Sequence, residues 1–127
     1  MRTIQIRVNG IELEAVLNDS TTAEAIWEAL PIVASANTWG DEIYFAIPVN
    51  LELEDGQELV EVGDLGYWPS GRAFCIFFGP TPMSRGEEIR PASAVTVFGR
   101  VSGDATVLKR VNPGAQIIID KKKSRRT

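Results

Sequence analysis

One short segment of the sequence combines side chains that often recognise ligands: Tyr67, Trp68 and Arg72, spaced around a Pro-Ser-Gly turn. Tyrosine, tryptophan and arginine are enriched at the centre of binding surfaces. The two rings could hold a proline ring, a sugar or a planar ligand, and Arg72 could pair with a carboxylate or a phosphate. A structural role is the alternative, in which the rings plug one end of the fold and Arg72 pairs with an acid.

Two further residues are candidates for the same site. Tyr44 brings a third ring from a predicted strand. Asp64 lies in a turn between Gly63 and Gly66, where its carboxylate either sits at the mouth of a site or accepts N–H bonds within its own turn. The predicted ligand-binding residues are Tyr44, Asp64, Tyr67, Trp68 and Arg72.

Two other sets of reactive side chains are predicted to have structural roles and not to take part in catalysis or binding. Asp41 and Glu42 form an acid pair, but adjacent residues on a strand point to opposite faces and would not converge. Cys75 lies within an apolar run, where burial makes a thiol inert, so it is predicted to belong to the core.

The chain contains no histidine and one cysteine. Ser-His-Asp and Cys-His catalysis and histidine-ligated metal sites are therefore excluded, as is an internal disulfide. Neither a phosphate-binding glycine loop nor a metal-ligand spacing is present. We expect no catalytic residues, no metal, no cofactor and no membrane span, and a reducing, cytoplasmic location.

Charge divides the chain into an acidic body and a basic end. The net charge is −4, but residues 1–120 carry −9 and residues 121–127 carry +5. An acidic body argues against nucleic acid as a partner. We predict one domain over residues 1–120, followed by a basic, disordered tail over residues 121–127.

The elements that must position these side chains are mainly short strands. Alternating residues around Asn9-Gly10 predict a hairpin, and Thr21 with Glu24 fits a capping box for a helix that Pro31 ends. The run 73–78 is continuously apolar, as in a strand buried on both faces. Gly99 indicates a bulge or a close approach within a later strand.

About eight short strands with one or two short helices favour a mainly β fold, a closed antiparallel barrel. Barrel closure also removes the exposed sheet edges that invite aggregation. The polar segment 83–90 is predicted to be a mobile loop, and whether it covers a pocket stays open.

Three segments in the right order resemble cyclophilins. They are the helix start Thr22-Ala23-Glu24, the stretch Val97-Phe98-Gly99-Arg100-Val101 with Gly103, and the closing strand over residues 114–119. The central segments 63–69 and 73–82, with 38–45, resemble a narrower group of small cyclophilin-like proteins from archaea and bacteria. The resemblance implies a cyclophilin-like barrel.

The same resemblance bears on activity. Cyclophilins carry Phe-His-Arg on their catalytic strand, whereas the matching stretch 43–48 of this sequence has neither histidine nor arginine. The next family segment, Gln-Gly-Gly-Asp-Phe, matches residues 61–65 here only at Gly63 and Asp64. Efficient prolyl isomerase activity is therefore not expected.

Three functions remain open at the level of sequence. The first is binding of a small molecule or a proline-containing peptide at the aromatic segment. The second is weak peptidyl-prolyl cis-trans isomerase activity, which rests on fold analogy alone. The third is an accessory or homo-oligomerising interaction protein.

Overall fold

The computed structural model describes residues 2–122; the predicted tail beyond Lys122 lies outside the described residues. In chain order the elements are β1 (Thr3–Val8), β2 (Ile11–Leu17), α1 (Thr21–Ala29), β3 (Ile32–Ser35), β4 (Asn37–Thr38), β5 (Glu42–Ala46), β6 (Asp64–Trp68), a 3₁₀ turn (Pro69–Gly71), β7 (Ala73–Phe77), β8 (Thr96–Val101), a 3₁₀ helix (Ala105–Arg110) and β9 (Gln116–Lys121). The last strand runs one residue past the domain boundary expected from the sequence. No helix within residues 2–122 is long and apolar enough to span a bilayer.

The strands form one antiparallel sheet that curls into a nearly closed barrel. Its order is β3-β9-β1-β2-β8-β6-β7-β5-β4. The two edge strands, β3 and β4, are consecutive in the chain and separated only by Ala36. Ala36 donates its N–H to Ala115 and accepts the N–H of Gly114, so the bend is tied to the start of β9. Counting β3 and β4 as one bent strand gives eight strands, and the predicted mainly β barrel is confirmed.

Helix α1 packs against the barrel through an apolar face that includes the fully buried Ala23 and Ile26. Its N-cap is Ser20, whose hydroxyl accepts the Ala23 N–H at 3.0 Å. The predicted capping box from Thr21 to Glu24 does not form, because the helix begins one residue earlier than that pairing requires. The Glu54 carboxylate, from a distant loop, accepts the free N–H groups instead, including that of Thr22 at 3.0 Å.

Strand β7 is buried on both faces, as its sequence predicts. Phe74 and Ile76 face the barrel interior, where Phe74 stacks on Phe45 with ring centroids 5.1 Å apart. Cys75 and Phe77 alternate with them and face outwards into a second, smaller apolar cluster. The barrel wall therefore has a hydrophobic patch on its outer surface, which other parts of the chain must cover.

Gly99 is the point of close approach between β8 and β2. A β-carbon built on Gly99 would lie 2.7 Å from the carbonyl oxygen of Val16 and 3.1 Å from the side chain of Leu17. Gly99 also pairs with Leu65 on the other side, so β8 cannot move away from one neighbour without approaching the other. The predicted close approach at this glycine is confirmed.

We expect Gly99→Ala to lower the free energy of unfolding by about 2 kcal/mol or more, because the added methyl group meets rigid backbone. Gly103→Ala is the matched control: its β-carbon would meet nothing nearer than Leu13 at 3.9 Å. Urea unfolding of both variants measures the difference. Equal stability of the two variants would contradict this account of β8.

Candidate functional site

A cavity of about 260 Å³ opens on the outer face of strands β5, β6 and β7. It lies beside the outer apolar cluster rather than inside the barrel. Its lining combines apolar and aromatic side chains with one carboxyl group, the composition expected of a small-ligand site. The lining residues are Trp39, Glu42, Tyr44, Trp68, Cys75, Pro91, Ala92 and Val95.

The alternation of side chains along the strands selects the residues of the cavity floor. On β5, Ile43 and Phe45 enter the barrel core, so Glu42 and Tyr44 face outwards. Tyr44 pairs with Cys75 across the β5–β7 ladder. Three strand residues thus meet on one outer surface.

The opposite wall comes from segment 91–95, which crosses over the outer face of β6. Val95 is held there by a reciprocal pair of backbone hydrogen bonds with Gln57, at 2.8 and 3.0 Å. Gly66 allows this approach, since a β-carbon on it would lie 2.9 Å from Val95. The indole Nε1 of Trp68 donates to the Ser93 hydroxyl at 2.6 Å, which ties the ring to the same segment.

Segment 83–90, considered from the sequence as a cover for a pocket, does not line this cavity. Its residues form hydrogen bonds with one another and with the nearby Thr81 and Val60. The Ser84 hydroxyl accepts the N–H of Thr81 at 2.9 Å and that of Arg90 at 3.2 Å. The Glu88 carboxylate accepts the N–H of Arg85 at 2.7 Å. The wall of the cavity begins only after this segment, at Pro91.

Glu42 is the one carboxyl group among the cavity residues. Only 6% of the residue is exposed, and no described cation lies within ion-pair distance of it. Burial raises the pKa of Glu42 to about 7, and the adjacent Cys75 thiol opposes this shift without cancelling it. The group is therefore poised between its neutral and charged forms near neutral pH.

Cys75 lies at the floor of the cavity with 1% of its surface exposed. Burial raises the pKa of the thiol well above its usual value, and the adjacent Glu42 charge adds to the effect. A thiol that stays protonated is a poor nucleophile and a poor metal ligand. Residues 2–122 contain no cluster of three or more side chains suited to hold a metal ion.

The structure brings together two of the five residues predicted for the site. Tyr44 and Trp68 both line the cavity. Tyr67 does not: it belongs to strand β6, not to a loop, and as a neighbour of Trp68 it faces the opposite side. Its ring is fully buried in the barrel, and its hydroxyl donates to the Val49 carbonyl at 2.7 Å and accepts the Leu51 N–H at 3.2 Å.

Asp64 and Arg72 lie outside the cavity as well. Asp64 is buried and accepts the Glu61 N–H at 2.9 Å, which matches the structural alternative for its turn. It also receives Arg100, through Nη2 at 3.0 Å and Nε at 3.1 Å. Arg72 is exposed, with a left-handed φ of 48° at the end of the 3₁₀ turn, and its carbonyl accepts the Ile47 N–H.

Sequence reasoning missed Trp39, Glu42 and Cys75 as parts of the site. The expectation that Asp41 and Glu42 diverge holds, since Asp41 pairs with Lys109 at 3.8 Å while Glu42 faces the cavity. The divergence of the pair leaves Glu42 as a lone acid on the outer face of β5. The available signal was the spacing of Glu42 and Tyr44, which places both on one face of a strand.

Glu42→Gln is expected to remove a pH dependence from the stability of the protein. The pKa of Glu42 is raised in the folded state, to about 7 from 4.5, so its contribution to stability is lost as the pH rises from about 4.5 to about 7. Between pH 5 and pH 8 the wild-type protein should lose about 2 to 3 kcal/mol relative to the variant.

Urea unfolding at the two pH values measures this difference, and Glu58→Gln, at an exposed acid, serves as the control that keeps the wild-type pH dependence. If Glu42→Gln and Glu58→Gln respond to pH alike, Glu42 is not a buried acid with a raised pKa.

Comparison with known proteins agrees with this architecture. The family profile described as cyclophilin-like matches residues 2–120. The solution structure of a hypothetical protein from Archaeoglobus fulgidus is similar over 95% of both chains, with 42% sequence identity and a TM-score of 0.81. No curated protein matches the chain. The match over nearly the whole described length shows that this chain belongs to the cyclophilin-like family.

Proposed function

We propose that this protein binds a small molecule, or one residue of a proline-containing peptide, in the outer cavity, and that it lacks efficient prolyl isomerase activity. One observation carries the proposal: three aromatic side chains and a buried, unpaired carboxyl group converge on one cavity. Aromatic walls with a single placed polar group are typical of sites that orient a small ligand.

The size of the cavity favours a small occupant. Its volume of about 260 Å³ lies below the range of roughly 300–1,000 Å³ typical of sites for drug-sized ligands. A five-membered ring, a short aliphatic chain or one peptide side chain suits this space, and a nucleotide does not. A proline ring fits both the size and the apolar lining.

The aromatic side chains supply rigid contact surface. Trp39, Tyr44 and Trp68 are each half-buried, which leaves part of each available to a ligand. The hydrogen bond from Trp68 to Ser93 holds that indole in place before a ligand arrives. Such preorganisation lowers the entropy lost on binding.

The charge of the cavity argues against isomerase activity. By resemblance, the stretch containing β5 corresponds to the strand that carries the catalytic arginine in cyclophilins. Here that strand contributes Glu42 and Tyr44, and none of the cavity residues is a cation. An acid cannot supply the cationic donor that assists rotation of the prolyl bond, so we expect binding without efficient turnover.

Titration with proline, proline-containing tetrapeptides and a panel of small metabolites tests the proposal. The three indole N–H signals of the protein report position directly, because Trp39 and Trp68 line the cavity and Trp27 does not. A ligand of the cavity should shift the first two signals and leave the third unchanged. Trp68→Ala should weaken its binding about tenfold or more, since truncated aromatic anchors lose most of their contact.

Trp27→Ala is the matched control, because Trp27 packs on the barrel beside Arg2 and Lys121 instead of the cavity. It should leave the affinity unchanged. Exchange spectra of the bound tetrapeptides should show cis-trans interconversion on the uncatalysed timescale of tens to hundreds of seconds. Binding that survives Trp68→Ala would place the site elsewhere, and accelerated exchange that Trp68→Ala abolishes would establish an enzyme.

A further inference from the structure

The buried carboxyl group of Glu42 has no counterion in the described part of the chain, although another equally buried acid does. Asp64, 5% exposed, forms an ion pair with Arg100 at 3.0 Å and accepts a backbone N–H. Glu42, 6% exposed, forms no ion pair with a described residue, and the adjacent Cys75 thiol, a weak donor, donates to the Ala73 carbonyl at 3.9 Å. Buried charges are normally paired, so Glu42 lacks a partner that a ligand can provide.

The rest of the cavity lining is suited to a cation. Trp39, Tyr44 and Trp68 present aromatic surface, which attracts ammonium groups through the ring quadrupole. Pro91, Ala92 and Val95 add apolar contacts for carbon atoms. Cages of aromatic rings are a recurring way for proteins to bind organic ammonium ions.

No other charged side chain within residues 2–122 forms an ion pair with Glu42 in place of a ligand. The other titratable side chains of the cavity are Tyr44 on β5 and Cys75 on β7, while β6 and segment 91–95 contribute none. The flanking ionic residues are engaged elsewhere: Asp41 pairs with Lys109 at 3.8 Å, and Arg90 pairs with Glu88 at 3.4 Å. The ionised Glu42 therefore sets the sign of the charge inside the cavity.

We propose that the ligand of this cavity is a small organic cation, a cyclic or aliphatic amine, whose ammonium group pairs with Glu42 while its carbon atoms contact the aromatic rings. This inference rests on the proposed function, because it takes the cavity as the binding site, and it adds the chemical class of the ligand. A neutral ligand that accepts a hydrogen bond from protonated Glu42 is the competing outcome.

The two outcomes depend on pH in opposite directions. An alkylamine stays protonated up to about pH 10, so only Glu42 titrates across neutrality. An ammonium group needs the ionised carboxylate, and its affinity should fall about tenfold from pH 8 to pH 6, because the pKa of Glu42 is about 7. A neutral acceptor needs the protonated acid and should bind more tightly as the pH falls.

The experiment compares pyrrolidine with tetrahydrofuran. These five-membered rings have nearly the same shape, but pyrrolidine is a cation at the working pH and tetrahydrofuran is a neutral acceptor. Affinities are read from the Trp39 and Trp68 indole signals at pH 6 and pH 8, with Glu42→Gln and the exposed-site control Glu58→Gln alongside. The wild-type pH series needs no variant, so the test does not depend on the folding of Glu42→Gln.

We expect pyrrolidine to bind at least tenfold more tightly than tetrahydrofuran at pH 8. Glu42→Gln should remove that preference, and Glu58→Gln should keep it. Equal binding of the two rings, or a tetrahydrofuran affinity that exceeds that of pyrrolidine and rises at pH 6, would overturn the cationic class and leave the cavity as the binding site. If neither ring nor any other small molecule or peptide shifts the two indole signals, the proposed function itself fails.

Discussion

The burial of strand β7 on both faces is the constraint from which the outer cavity follows. Phe74 and Ile76 complete the barrel interior, and alternation then directs Cys75 and Phe77 outwards, where they also need cover. Segments from the long connections fold over this outer surface, and Val95 reaches it because Gly66 has no side chain. The cover is incomplete next to Cys75, and the space left there is the cavity.

Glu42 is the feature of this surface that packing alone does not explain. An apolar residue of similar volume would avoid the desolvation that raises the pKa of Glu42 to about 7. Natural proteins tolerate such locally unfavourable groups mostly at functional sites. Asp64 shows the contrasting case within the same fold, because its buried carboxylate is fully engaged by Arg100 and a backbone N–H.

The fold follows from the sequence more directly than the site does. The first hairpin, the apolar helix face and the doubly buried β7 each leave a pattern among residues a few positions apart. The close approach of β8 to β2 joins distant residues, but a glycine within a strand indicates it. The cavity instead joins Glu42 and Tyr44 with Trp68 and segment 91–95, which are distant along the chain. No periodic pattern in the sequence indicates that these distant segments come into contact.

One local rule would have improved the prediction of the site. The predicted grouping of Tyr67 with Trp68 rests on their adjacency, but adjacent side chains within a strand lie on opposite faces. The rule that correctly separated Asp41 from Glu42 also separates Tyr67 from Trp68. On β5 the same rule places Glu42 and Tyr44 on one face. The resemblance to cyclophilins indicates the barrel, whereas the position of an acid within the cavity is seen only in the packed structure.

The central claim is that Glu42 is a buried carboxyl group without a counterion. The direct measurement is a pH titration of its side-chain carboxyl carbon by NMR, assigned by comparison with Glu42→Gln. The account predicts a midpoint near pH 7, well above the ordinary glutamate value of 4.5. A midpoint at or below 4.5 would mean that the group is hydrated or paired, and would contradict the account.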